Sequence, residues 1–323
     1  MRKGEGHLHY RPMPRNPSGE DLLRPPERGL KERVRGFAWR HPLLWLAYNL
    51  RHVLKSSQML FLDYRVEPRS RYGYGRAPHP GLLALLEAGR AQYRELLRGA
   101  LDYEAKLAAI PQEAADARSP FWNNGWIPPL DAVALYALLA QRRPRLYLEV
   151  GSGHSTKFAR RAVEDHSLPT QIVSLDPHPR AEIDALCDRL VRQPLQQADL
   201  ALFDQLRAGD VLFLDCSHVL LTNSDVAVAF LEVLPRLPAG VLVQVHDVFL
   251  PYDYPARWAH HYWSEQYLLA FALLEGASRL NVLLPNAFVS ADPELSQVLR
   301  PLWQRIGLKG PLDAGVSMWL ITQ

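Results

Sequence analysis

The sequence predicts an α/β protein: a doubly wound, mostly parallel sheet preceded by a helical extension. Three observations carry that prediction. From about residue 144 onward, short apolar runs alternate with segments of helical period. A glycine-rich loop follows the first of those runs directly. Acids stand where several of the runs end, as they should if strand ends converge on one crevice.

The elements follow in order. Residues 1–35, rich in Pro, Arg and Gly, read as an extended arm, and 36–62 as a helix. Residues 64–80 read as a loop, and apolar positions recur at helical spacing from Gly81 to about Ala109. "SPFWNNGWIPPLD" is a proline-bounded loop, and "DAVALYALLAQRRP" a helix closed by Pro144. Then "RLYLEV" reads as a strand, "TKFARRAVEDH" as a helix, "TQIVSLD" as a strand and "PRAEIDALCDRLV" as its helix, with a weak strand at 189–192. "DVLFLD" and "GVLVQVHD" are strands flanking the helix "NSDVAVAFLEVLPRL". "YWSEQYLLAFALLEG" and "ELSQVLRPLWQRIG" are helices, and "SRLNVLLP" and "GVSMWLIT" the last strands. The division expected is an extension over 1–110 and an α/β domain over 111–323.

The charge is uneven. Residues 1–80 carry a net +9 and the remainder −6, within an overall +3. A basic arm of this kind packs on its own acidic domain or on a twin subunit, or touches an anionic surface. Nucleic acid is not expected, because no basic-aromatic motif accompanies the charge. "HPLLWLAYNLRHVL" is too short to span a bilayer, which takes about 20 apolar residues. With Trp39, Trp45 and Tyr48 it has the makings of an interfacial helix, and so of peripheral membrane contact. The N-terminus has no apolar leader region, and Cys187 and Cys216 have neither metal-ligand nor CxxC spacing. Free thiols and a cytoplasmic setting are expected from them.

The chemistry gathers at the strand ends. Glu149 precedes the loop Gly151-Ser152-Gly153-His154-Ser155, Asp176 ends the second strand, Asp215 to His218 follow the fourth, and His246-Asp247 end the fifth. A dinucleotide fingerprint wants glycine at 156, where Thr156 stands, and Glu149 would set a negative charge beside a pyrophosphate. That weighs against a nicotinamide-dependent oxidoreductase. An acid there suits a ligand bearing an ammonium or a sulfonium.

The pattern ExGxGxS after a first strand, with an acid closing the second, resembles the class I S-adenosylmethionine-dependent methyltransferases. The strand-helix order from about residue 120 fits that family's seven-stranded, Rossmann-like sheet. The resemblance implies that Glu149, Gly151, Gly153 and Ser155 line the methionine end of S-adenosylmethionine. It places Asp176 on the ribose hydroxyls and Asp199 near the adenine amino group. "LDCSH" and "VHD" look like the corresponding ends in small-molecule O-methyltransferases. By that likeness Asp215 and Asp247 hold a divalent cation such as Mg²⁺, and His218 is the general base. His246 would be a third ligand or a second base. A hydroxyl needs such help, since near neutrality it is a poor nucleophile without a base or a cation.

The aromatic segments "FWNNGW" and "PYDYPARW" would finish the pocket, with Trp122, Asn123, Tyr252 and Tyr254 against a sugar-like or phenol-like acceptor. Asn124 and Asp253 suit the same hydroxylated ligand. A non-catalytic module acting through the basic arm stays open at this point, as does homo-oligomer formation.

Overall fold

The computed structural model describes residues 62, 64–258, 261–276, 279–307 and 314–323. The expected arm, the helix over 36–62 and its aromatic anchors Trp39, Trp45 and Tyr48 lie outside the described residues, apart from Leu62.

Before the sheet come α1 (Pro80–Glu87), α2 (Arg90–Ala100) and α3 (Glu104–Ala108). Leu82, Leu86, Tyr93, Leu97 and Leu107 from these helices are buried in the same core as the sheet. Gly89 separates α1 from α2, and a side chain there would strike the Tyr93 ring. α4 (Pro129–Arg142) begins at a proline, as suits the first helical position. It is buried continuously from Pro129 to Ala140, so it is a core helix rather than an amphipathic one.

Seven strands form one sheet: β1 (Leu146–Val150), β2 (Gln171–Leu175), β3 (Arg189–Val191), β4 (Val211–Leu214), β5 (Leu242–Val245), β6 (Leu280–Pro285) and β7 (Met318–Thr322). Their order is β3-β2-β1-β4-β5-β7-β6. β1 to β5 pair in parallel, and β7 runs antiparallel to both neighbours. β1, β4 and β5 are buried on both faces, which explains their continuous apolar runs. α5 (His154–Asp165) packs on α4, and α6 (Asp225–Val228), α7 (Glu265–Leu274), α8 (Asn286–Ala291) and α9 (Arg300–Ile306) complete the layers.

Two expected helices are corrected. In place of the helix over 179–191 the chain makes a single 3₁₀ turn, Asp184–Leu186, and then enters β3 at Arg189. Asp188 pulls it back to the sheet: its N–H donates to the Ile172 carbonyl at 2.8 Å, and its carboxylate accepts from Ile172 N at 2.7 Å. The helix expected over 223–237 holds four α-helical residues, then a wide π-helical turn and a tight turn containing Pro235. Proline lacks the N–H that would continue it.

The order of strands reverses between β1 and β4, so the crevice at their carboxyl ends is where a ligand belongs. Asp131 on α4 ties the distant end of the sheet to this point. Its carboxylate accepts from Val316 N (3.0 and 2.9 Å), Ser317 N (3.0 Å) and Asn286 Nδ2 (2.7 Å), and it is 1% exposed. Its other neighbour is the His246 ring, with Nε2 3.6 Å from Oδ2.

Replacing Asp131 with Ala leaves those donors buried and unpaired. The expected loss is about 3–5 kcal/mol, with a fall in Tm of about 10 °C. Thermal unfolding checks it, and Asp131→Asn should lie between the two.

Candidate active site

The loop after β1 is shaped by one contact. Gly151 has φ +79°, and a Cβ built on it would sit 2.0 Å from the Asp215 carbonyl oxygen, so only glycine fits. Ser152 N–H donates to Asp176 Oδ2 at 2.7 Å, and its hydroxyl meets that of Ser174 at 2.7 Å. His178 N–H takes the other oxygen of Asp176 at 2.7 Å. The loop, the end of β2 and the end of β4 are thereby joined.

Glu149 is fully buried beneath that loop and lines neither cleft. It accepts from the Tyr147 hydroxyl at 2.9 Å and from the Thr156 hydroxyl. Thr156 Oγ1 in turn accepts from Gly153 N–H at 3.1 Å. Burial outweighs these donors and lifts the Glu149 carboxyl to about 7. The residue expected to face the ligand is instead buried as a brace under the glycine loop.

Two clefts open at the sheet's carboxyl edge. The larger encloses about 830 Å³ and is lined by Gly151, Ser152, Asp176, Leu195, Gln196 and Asp225 among others. The second, of about 480 Å³, is lined by Trp126, Ile127, Gly153, Ser155, Phe213 and His246 among others. Ser152, Arg180 and Asp215 line both, so the two meet at the end of β4.

Asp199 lines neither. It is exposed and caps a 3₁₀ turn by accepting from Ala201 N–H at 3.0 Å, while Leu195 and Gln196 face the larger cleft.

At the junction the acids and imidazoles converge. One donor atom each from Asp215, His246 and Asp247 lie within 4.8 Å of one another. His246 Nδ1 is 3.4 Å from Asp247 Oδ1 and 4.0 Å from Asp215 Oδ1. Asp215 Oδ1 and both His246 nitrogens are buried and make no hydrogen bond. Burial alone would depress the His246 imidazole, but the carboxylates of Asp247, Asp215 and Asp131 outweigh it and hold its pKa at about 9. Burial likewise pushes the Asp215 carboxyl up, yet His218 and His246 hold it well below the usual carboxylate range. These three residues are the set that could hold a cation, and carboxylates with an imidazole are a donor set suited to a divalent ion.

His218 stands behind this set and lines neither cleft. Nδ1 is 2.6 Å from Glu265 Oε1, and Nε2 lies 3.3 Å from Asp215 Oδ1 and 3.4 Å from Asp247 Oδ2. The Trp263 ring packs 4.4 Å away, and the His218 carbonyl accepts Ser264 N–H at 2.7 Å, where α7 starts. Burial disfavours its charge, but the three surrounding carboxylates raise it well above an ordinary histidine. With Nδ1 against Glu265 and Nε2 facing Asp215 and Asp247, the ring braces these acids from behind the clefts. His218 and Asp247 both hold left-handed backbones, φ +64° and +55°, which non-glycine residues adopt at a cost of about 1–3 kcal/mol.

The four aromatic-segment residues do not reach the clefts. Trp122 is buried against Phe158, and Asn123 donates to Glu113 Oε1 at 2.7 Å. Tyr254 sits in a separate apolar cluster with Phe249 and Trp258, and Tyr252 packs on Gly73. It is Trp126 that lines the smaller cleft. Asn124 presents it by accepting from Trp126 N and Ile127 N, each at 2.9 Å. Asp253 binds the backbone of Arg71 and Tyr72 rather than a ligand. Sequence reasoning also missed Asp131, Glu265 and Arg180, which no local motif marks.

Residues 148–248 match the family model described as a methyltransferase domain. Over that stretch the chain carries a methyltransferase domain. Among solved structures, this chain is similar to an SAH-bound methyltransferase of Podospora anserina, at 18% identity over 48% of this chain and 72% of that one, with a TM-score of 0.34. It is also similar to an O-methyltransferase from Bacillus cereus in complex with SAH, at 16% identity over 71% and 91% of the two chains, with a TM-score of 0.33. No curated protein matches the chain. Among the described residues no helix is long and apolar enough to cross a membrane.

Glu149 generates a signed prediction. Its folded pKa of about 7 exceeds the ordinary 4.5, so the folded chain keeps a proton that the unfolded chain releases. Stability therefore declines as pH rises through that interval, by about 3 kcal/mol. Urea unfolding of Glu149→Gln should show the variant gaining on the parent by about that amount between about pH 5 and pH 8. A pH-independent difference would contradict it.

Proposed function

We propose that the methyltransferase methylates a hydroxyl of a small-molecule acceptor, sugar-like or phenol-like, with Asp215, His246 and Asp247 at the acceptor oxygen. The observation that carries this reading is their convergence where the two clefts meet, with three of their buried polar atoms lacking hydrogen bonds.

The larger cleft suits S-adenosylmethionine. Gly151 leaves room for close approach of a ligand to the backbone, and Asp176 closes β2 with two carboxylate oxygens. Each oxygen takes one N–H and retains a lone pair for a ribose hydroxyl. Gly153 and Ser155 line the smaller cleft, as the methionine end requires.

A divalent cation held by Asp215, His246 and Asp247 would lower the pKa of an acceptor hydroxyl. The orphaned atoms of Asp215 and His246 fit such an ion, since buried polar atoms call for partners. The protein's own part is placement. His218 and Glu265 brace the acids from behind, Phe213 stacks 6.3 Å from the His246 ring, and Trp126 and Ile127 wall the cleft. In-line transfer then depends mainly on proximity and orientation.

The test is transfer of labelled methyl from S-adenosylmethionine to a panel of catechols and sugars. Asp247→Asn should lower kcat about 100-fold with S-adenosylhomocysteine affinity unchanged within about twofold. Excess EDTA should abolish turnover, and full turnover in EDTA would remove the ion from the reading. Failure to bind S-adenosylhomocysteine would remove the reading itself.

A further inference from the structure

Four carboxylates, those of Asp176, Asp215, Asp225 and Asp247, line the two clefts. These acids attract a ligand's cationic group and repel its carboxylate. Arg180 stands against them, beside the acid-flanked His246 imidazole of the smaller cleft. Among the described residues it is the one lysine or arginine lining either cleft, and it lines both.

Its position is built. The Arg180 N–H donates to the Ser152 carbonyl at 3.3 Å, tying its backbone across the glycine loop. Its Cβ lies 3.7 Å from where a side chain on Gly153 would begin. The guanidinium carbon stands 4.8 Å from the centroid of the Trp126 ring. Contact with that ring helps to hold the guanidinium at the cleft wall, and its planar fork matches a carboxylate with two parallel hydrogen bonds. Arg180 also acts on the Asp215 carboxyl, whose pKa it helps to lower. Its charge is therefore felt at the junction itself.

We infer that Arg180 is a carboxylate-binding residue, pairing with a ligand carboxylate presented where the two clefts meet. Two ligands could bring that group: the amino-acid end of S-adenosylmethionine, or an acceptor bearing a carboxylate. The inference rests on the cofactor reading above. It adds that the site takes a zwitterion or an acid and does not recognise adenosine or a bare phenol equally well.

Titration calorimetry tests it with S-adenosylhomocysteine, which carries the carboxylate, and 5′-methylthioadenosine, which keeps the nucleoside and thioether but lacks the amino-acid end. Arg180 is exposed, so Arg180→Met should fold. With the cofactor as the source, Arg180→Met weakens S-adenosylhomocysteine about 10–30-fold and 5′-methylthioadenosine less than about twofold. Arg180→Lys should fall between.

With the acceptor as the source, S-adenosylhomocysteine is unmoved. Instead, the S-adenosylhomocysteine-loaded parent prefers 3,4-dihydroxybenzoate to catechol, and Arg180→Met loses that preference. Equal weakening of both nucleosides would make Arg180 only a stacking partner of Trp126 and overturn the inference. So would a variant in which neither preference changes. A parent protein that binds neither nucleoside would remove the cofactor reading and this inference together.

Discussion

The close approach of Gly151 to the end of β4 is the constraint on which the site depends. β1 and β4 are neighbours, and the strand order reverses between them, so the chain leaving β1 must turn across the tip of β4. It passes so near the Asp215 carbonyl that no side chain fits, and Asp215 N–H closes the contact from the other side by donating to the Val150 carbonyl at 2.9 Å. This one contact sets the glycine loop against the acid of β4. The two clefts meet there, sharing Ser152, Asp215 and Arg180, so that the wall of one lies beside the acids of the other.

A second constraint is electrostatic. Asp131, Asp215, Asp247 and Glu265 are brought together with two imidazoles at the sheet's edge, and burying unpaired carboxylates is costly. Each imidazole lies between acids: His218 joins Glu265 to Asp215 and Asp247, and His246 joins Asp131 to Asp215 and Asp247. The acids in turn raise both imidazoles, so the cluster holds its own charge. The left-handed backbones of His218 and Asp247 show that the chain bends to keep this arrangement. Tight packing around them, from Trp263 and from the start of α7, maintains the strain.

Much of this was legible in the sequence, and what was not has a common cause. The strands announce themselves as apolar runs, because both faces of β1, β4 and β5 are buried. The acids that end them are visible for the same reason, standing where apolar character stops. Glu149 was legible as a site residue but not in its role, because side chains alternate along a strand and its own points under the loop. Trp122 and Trp126 are equivalent by composition, and only the turn made by Asn124 decides which one faces the cleft. The helix expected over 179–191 fails through Asp188, whose partners lie on β2. Asp131, Glu265 and Arg180 act through residues far away in the chain, where local pattern carries no signal.

The loop 251–258 sharpens what the acceptor can meet. Its composition, aromatic with acids interspersed, suits a sugar or a phenol. Its polar groups are already engaged: Asp253 holds the backbone of Arg71 and Tyr72 and takes the Tyr267 hydroxyl at 3.1 Å, and the Tyr254 carbonyl accepts from Ser70. Gly73 lies against the Tyr252 side chain, with no room for one of its own. The chain over 70–74 is therefore the partner that this loop was built for. The smaller cleft is walled instead by the faces of Trp126, Ile127 and Phe213 and the charges of Arg180, Asp215, His246 and Asp247. On the proposed reading, a cleft of that make-up would select its acceptor by flatness and by charge.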